Sequence, residues 1–482
     1  SPTREMFRYA LFACYATAKT VWYVEHGLTA GQQETLAKKG CFRGAFSGSL
    51  SLSTCESATA IRFAELPDDA FLCIAELAHS GALQSSKEIL QSIPGASAVY
   101  SDASHLIIQN LANAAERSDA CDVEAYGGLA LNVIPVARQP VHPPAPINWA
   151  HPAVQRAFNT SALGPNPLIQ SMVNSYSQDD VTNYLKLISQ NEGTNDKITR
   201  NSYSITVGKG GCADSSWKCA SHASDFILNE INVLMQDYPG EWKVDRTSFR
   251  TDMCPNIIVT MDGESRDVVI IGAHMDSRNT GSGSTATGVA PGADDNGSGT
   301  AVMLAILKAL AKASSTKEVT FQYTIKLMWF CGEEQGLLGS DAIARKMKAD
   351  GETVVGMFNN DMIGYTDSRY GVVCSFMKNQ ATAWLSESCK TFTGVYVPKL
   401  KTGDTTGCCS DQQSFYSAGF PAAGIFETPT SSVVYPQYHK TGDTFDNGLI
   451  NLQQVYLFGQ ANYACMLEYA VPSQDFKQKK VI

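Results

Sequence analysis

Beyond residue 168 the chain alternates short apolar runs with stretches whose apolar residues recur at helical spacing, and this alternation restricts the fold more than any other feature. Helical spacing covers 179–189, 222–238, 299–313, 339–349 and 450–469, and strand-like runs cover 256–261, 268–273, 319–330 and 354–358. Strands interleaved with helices predict an α/β fold with a mixed, largely parallel central sheet flanked by helices. In such sheets ligands bind just beyond the carboxyl ends of the strands.

Prolines 135, 140, 143, 144, 146, 152, 165 and 167 crowd the segment 134–167. Proline resists helix and inner strand alike, so this segment reads as a linker. It separates an N-terminal domain, residues 1–133, from a catalytic domain, residues 168–472, with a tail at 473–482. The N-terminal domain reads as a smaller α+β unit: helical patterns at 70–80 and 86–92, strand-like runs at 104–108 and 128–136, and no catalytic constellation. A chain of 482 residues exceeds one ordinary core.

Acidic residues number 47 against 37 basic ones, without long single-sign blocks. This argues against nucleic acid as a partner, because phosphate binding needs a basic surface. Apolar runs are broken well before the roughly 18 residues a membrane helix needs. Fourteen cysteines, scattered rather than in paired C-x-x-C knuckles, point to an oxidising compartment and hence to secretion. The first residue, Ser1, suggests a processed chain, and Asn159 opens an Asn-Thr-Ser glycosylation sequon. Cys331, in an apolar strand, reads as a buried free thiol, whereas Cys212 and Cys219 flank a polar loop and are placed to pair locally.

Five segments carry the chemistry. The first is an apolar strand ending in His274-Met275-Asp276; alternation puts His274 and Asp276 on one face, where one binds a metal and the other orients its ring. By itself this reads more readily as a polar strand end with one solvated histidine. The second, Gly292-Ala293-Asp294-Asp295-Asn296-Gly297, is a glycine-rich loop directly before a helix. It reads either as an acidic helix cap or as a carboxylate aimed into a crowded site, and spacing does not choose between Asp294 and Asp295. The third is Glu333-Glu334 at the end of an apolar strand, where one carboxylate can ligate and the other can shuttle a proton. Asn359-Asn360-Asp361 and Tyr438-His439 through Asp443 complete the set.

Gathering Asp276, Asp295, Glu333, Glu334 and Asp361 in one place is strongly repulsive without cations. Two imidazoles and three carboxylates, with no thiolate, suit a catalytic zinc pair better than a closed structural site or an all-oxygen calcium site.

In this order the segments resemble the secreted co-catalytic dizinc aminopeptidases of the leucine aminopeptidase and aminopeptidase S type, over roughly 268–443. The resemblance implies a zinc exopeptidase fold and two zinc ions. It selects Asp295 as the bridging ligand, pairs it with His274 and Asp361 on one side and Glu334 and His439 on the other, and makes Glu333 the general base. Tyr438 matches a tyrosine that stabilises the oxyanion in some members; Asp276 and Asp443 fall outside the ligand set as supporting residues. The implied reaction removes a hydrophobic, leucine-like residue from the free N-terminus of a peptide, through a hydroxide shared by the zinc ions. The chain departs from the family at Gly407-Cys408-Cys409, which leaves the lining of the side-chain pocket open. The N-terminal domain is expected to act as a propeptide. Three alternatives stand beside this reading: a carboxypeptidase or dipeptidase using Arg278 or Lys440, a single-zinc glutaminyl cyclase, and a non-catalytic binding protein.

Overall fold

The computed structural model describes residues 151–159, 164–189, 220–250, 253–278, 290–317, 319–334, 336–405, 410–430 and 435–474, together with positions 147 and 200, the short strands Lys197–Ile198 and Trp217–Lys218, and eight strands before residue 136.

Eight strands form the main sheet: β1 (Trp242–Thr247), β2 (Asn256–Met261), β3 (Ser265–His274), β4 (Tyr323–Phe330), β5 (Val354–Asn360), β6 (Val373–Met377), β7 (Lys401–Thr405) and β8 (Ala422–Phe426). Their order is β1-β2-β4-β3-β5-β8-β6-β7. The central four, β4, β3, β5 and β8, are parallel, and antiparallel pairs flank them. The expected mixed, largely parallel sheet is therefore present, and the central strands end on one common edge.

Nine helices surround it among the described residues: α1 (Pro152–Phe158), α2 (Pro167–Ser175), α3 (Gln178–Ser189), α4 (Ala220–Met235), α5 (Gly299–Lys317), α6 (Leu338–Ala349), α7 (Ala383–Tyr396), α8 (Gln412–Ser417) and α9 (Leu452–Ala470). Strand β3 shows why its sequence is apolar without alternation. Val269, Ile271 and Ala273 pack in the cluster that contains α5 and α9, whereas Val268 and Ile270 meet Ile343 and Met347 of α6 and Phe415 of α8. A strand covered on both faces reads as a continuous apolar run.

Within the expected linker, α1 is a helix despite its proline, because Pro152 occupies the first helical position, where a missing N–H costs nothing. His151 caps it, accepting from the Ala153 N–H at 3.2 Å, and its ring stacks on Tyr323 and Tyr469.

The strands before residue 136 form two four-stranded antiparallel sheets with one shared strand order: second, third, first, fourth. The run at 70–80, expected as helix, is the strand Phe71–Leu77, paired on both sides by His105–Asn110 and Ala130–Pro135. Short apolar runs do not distinguish helix from strand, and here non-local pairing decided. The pattern at 86–92 and the residues Cys212, Cys219, Cys408 and Cys409 lie outside the described residues.

Cys331 is not a free thiol. It is bonded to Cys254, with Cα atoms 5.9 Å apart, because β2 and β4 are antiparallel neighbours whose register brings these two ends together across 77 residues of chain. A second disulfide, Cys389–Cys465, joins α7 to α9. Cys374 is buried with a free thiol.

Candidate metal centre

His274 is the last residue of β3 and fully buried. Its main-chain carbonyl accepts from Thr300 Oγ1 at 2.8 Å. Its Nε2 stands 3.3 Å from Asp361 Oδ1, 3.4 Å from Asp295 Oδ1 and 4.0 Å from Glu333 Oε2. Nδ1 lies 3.2 Å from the main-chain oxygen of Asp276 and 3.6 Å from its carboxylate. The Asp276 carboxylate also reaches the next segment, accepting from the N–H groups of Glu333 and Glu334 at 3.4 and 3.3 Å.

Asp295 lies in the loop between residue 290 and α5. Gly292 turns that loop at φ 58°, where an added Cβ would fall 2.4 Å from the Asp295 carbonyl oxygen and 2.5 Å from Ser277 Cβ, so only glycine fits. The Asp443 carboxylate holds the loop, accepting from the Asp294 N–H at 2.9 Å and the Asp295 N–H at 3.1 Å. The two oxygens of Asp295 then face different imidazoles: Oδ1 faces His274, and Oδ2 is 3.0 Å from His439 Nε2. Asp294 points elsewhere, accepting from the Gly364 N–H at 2.7 Å. Of the two aspartates, Asp295 is the one whose carboxylate faces the imidazoles.

Glu333 and Glu334 follow β4. Glu334 Oε2 is 3.1 Å from His439 Nε2 and 3.2 Å from Arg278 Nε, while its Oε1 is buried with no hydrogen-bond partner among the described residues. Asp361 follows β5, and the two asparagines before it fix its backbone. Asn360 donates to the Gly272 carbonyl, Asn359 donates to Ser410 Oγ, and the carbonyl of Asn360 accepts from Asn296 of the Asp295 loop. His439 adopts a left-handed backbone at φ 52°, an uncommon conformation for a side-chain-bearing residue. The Tyr438 ring stacks on its imidazole, centroids 3.6 Å apart.

Each central strand therefore delivers its acidic or imidazole residue to the same edge, and His274, Asp295, Glu333, Glu334, Asp361 and His439 converge. Two groups of donor atoms, His274-Glu333-Asp361 and His274-Asp295-Glu334, each lie within 4.8 Å of one another. Burial alone would raise Asp295, but hydrogen bonds from His274 and His439 outweigh it and hold the carboxyl well below the usual range. Burial likewise opposes a charge on His274, yet Glu333 and Asp361 push its pKa up. Glu333 is raised, first by burial and then by Asp361 and Glu334. Imidazoles that protonate because acids surround them, beside a buried carboxylate oxygen lacking a partner, are what a divalent cation would replace and satisfy. The donor set fits such an ion.

Three groups at this edge, Arg200, Asp411 and Glu427, carried no sequence signal of their own. Arg200 is buried and, among the described residues, donates to main-chain carbonyls: Nε to Met275 at 2.9 Å, Nη1 to Ile188 at 3.1 Å, Nη2 to Gly292 at 2.7 Å, and again Nη1 to Pro291. One guanidinium thus ties the end of β3 to the Asp295 loop. Asp411, at the start of α8, is pushed up to about 7 by burial. Glu427 follows β8, accepts from the Tyr365 N–H at 2.6 Å, and is raised by burial and by Asp294. Arg278, visible in the sequence only as a cation beside a motif, pairs with Glu334. Lys440 is exposed and donates to the Pro436 carbonyl.

The family model for peptidase family M28 matches residues 256–465, the segment that carries β2 to β8 and every residue of the cluster. Over this segment the chain is similar to peptidase family M28. A probable leucine aminopeptidase of Arthroderma otae is 38% identical over 230 residues, covering 47% of this chain and 60% of that protein. One of Trichophyton verrucosum is 37% identical over 227 residues, covering 47% and 59%. The chain thus spans about 60% of the length of these curated relatives. Among solved structures, the LapA aminopeptidase of Legionella pneumophila aligns over 83% of this chain and 98% of its own with a TM-score of 0.61 at 17% identity. LapB of the same organism aligns over 83% and 100% with a TM-score of 0.60 at 16% identity. At that identity the likeness establishes the fold alone.

Proposed function

We propose that this chain is a secreted zinc aminopeptidase that removes a hydrophobic N-terminal residue from peptides. The observation that carries the reading is the orientation of Asp295, whose two oxygens face two different buried imidazoles. His274, Asp361 and Asp295 would hold one zinc ion; Glu334, His439 and Asp295 would hold a second. When bound, the ions would polarise the scissile carbonyl and make water acidic enough to lose a proton near neutrality.

Glu333 is close enough to this cluster to take that proton and return it to the leaving amine, and its raised pKa matches the task. Tyr438 keeps its phenolic proton, because burial and Asp295 raise its pKa, and can donate to an oxyanion formed beside His439. Asp276 orients the Glu333-Glu334 turn, and Asp443 orients the Asp295 loop. The acid-rich surroundings suit the free ammonium of a substrate N-terminus. The named relatives, probable leucine aminopeptidases, favour the same end and a leucine-like side chain. The disulfides Cys254–Cys331 and Cys389–Cys465 accord with secretion, and among the described residues no helix is long and apolar enough to cross a membrane. Residues 1–133 serve in this reading as a propeptide, joined through 134–167 to the catalytic domain.

The test is a zinc determination joined to a panel of aminoacyl anilides and of amino-blocked and carboxy-blocked peptides. Two zinc ions per chain and cleavage that requires a free amino group are expected. Glu333→Ala should keep its zinc and lose most turnover, about 10²- to 10⁴-fold for a missing general base, whereas Asp295→Ala should lose metal as well. Normal hydrolysis by either variant refutes the assignment.

A further inference from the structure

The two halves of the donor cluster differ in one respect that their ligands do not explain. Arg278 is buried, 8% exposed, and its Nε lies 3.2 Å from Glu334 Oε2, the same oxygen that stands 3.1 Å from His439 Nε2. On the other side Asp361 is ion-paired, among the described residues, only with His274. A permanent cation therefore occupies the Glu334-His439 side, and guanidinium does not deprotonate in proteins.

We propose that Arg278 acts as a built-in counter-cation that keeps a metal ion at the Glu334-His439 position weakly held and exchangeable, while the His274-Asp361 position stays tight. The inference rests on the two-metal reading above and concerns its regulation. A divalent ion bound by Glu334 Oε2 draws on an oxygen whose negative charge is already paired with the Arg278 guanidinium 3.2 Å away, and each cation weakens the hold of the other. The two positive charges also repel at short range in a buried, weakly screened site, where Coulomb terms are several times larger than in water. Neither effect is available to the His274 side through an arginine contact. The enzyme would then gain and lose its second ion as free zinc varies, with Arg278 setting the concentration at which this happens.

The experiment is a competition titration of the metal-free chain with zinc and a chelating indicator dye, for wild type, H439A, R278K and R278M. Wild type should bind two ions in separable steps, and H439A should lose the weak step. R278M should bind its second ion at least tenfold more tightly, about 1.4 kcal/mol, with the first step unchanged. R278K, which keeps the charge, should stay near wild type; a purely structural arginine would instead make both variants bind zinc more weakly. A second step in R278M equal to or weaker than wild type overturns the proposal, as does an R278K variant that tightens as much as R278M. Should R278M lose its native circular dichroism, R278Q carries the same expectation and the same refutation. If wild type binds no zinc, or a single ion, the two-metal reading itself fails, an outcome distinct from failure of the role assigned to Arg278.

Discussion

Replacing Asp443 by alanine tests whether the Asp295 loop is held from outside the set of proposed ligands. Its carboxylate accepts from two consecutive buried N–H groups, those of Asp294 at 2.9 Å and Asp295 at 3.1 Å. Hydrogen bonds to a charged group contribute about 1.5–3 kcal/mol each, and buried donors left unsatisfied cost a similar amount. The sum, about 3–6 kcal/mol, must be reduced, because Asp443 is itself unfavourably placed: burial, and then Asp295, push its pKa up to about 7. A net loss of about 3 kcal/mol follows, at the lower end of that range. The cost falls on the 293–298 turn rather than on the whole core, since the main-chain carbonyl of residue 443 still accepts from Ala293 N–H. Expressed in metal binding it amounts to about a hundredfold weaker zinc affinity. Chelator competition for zinc, with circular dichroism to establish folding, measures it directly. Asp443→Asn, which keeps one acceptor oxygen, should fall between wild type and alanine. A folded Asp443→Ala variant whose zinc affinity stays within about threefold of wild type would refute the reasoning.

Two further predictions concern stability. Removing the Cys254–Cys331 bridge with the double variant C254S/C331S frees a 77-residue loop, which by chain entropy is about 4 kcal/mol. Calorimetry should show the variant melting well below wild type, and an unchanged melting temperature would contradict a closed bridge. His151 is buried and uncharged, its pKa lowered from 6.5 to about 4 by desolvation. The unfolded chain therefore binds a proton that the folded one refuses, so this contribution to stability is present above pH 6.5 and is lost as pH falls toward 4. Asn at position 151 keeps a helix-capping acceptor without a titrating group, and H151N should lose less stability over this interval in urea unfolding; identical pH profiles would exclude His151 as the cause.

The strands 256–261, 268–273 and 354–358 and the helices at 299–313, 339–349 and 450–469 were legible because their apolar patterns are local, and local patterns survive whatever the chain does elsewhere. Positions beyond strand ends were legible for a related reason. In a sheet of parallel strands each carboxyl end faces the same edge, so His274, Glu333-Glu334 and Asp361 could be assigned to one place before any distance was known. The segment 362–449 gave no such pattern, and its strands β6, β7 and β8 are short pieces whose partners define them. The same limit explains the reading of 70–80 as helix.

By itself, then, the sequence determined which residue types stand at the sheet edge, and with them the class of cation they can bind. Tertiary structure alone decided which of Asp294 and Asp295 turns toward the imidazoles, that Cys331 meets Cys254, and that Arg278 shares an oxygen with His439. These are questions of direction and of partners many residues away in the chain. Periodicity and spacing record what lies next to a residue along the backbone, while the orientation of a carboxylate is fixed by donors such as Asp294 and Asp295 N–H meeting Asp443, 149 and 148 residues on.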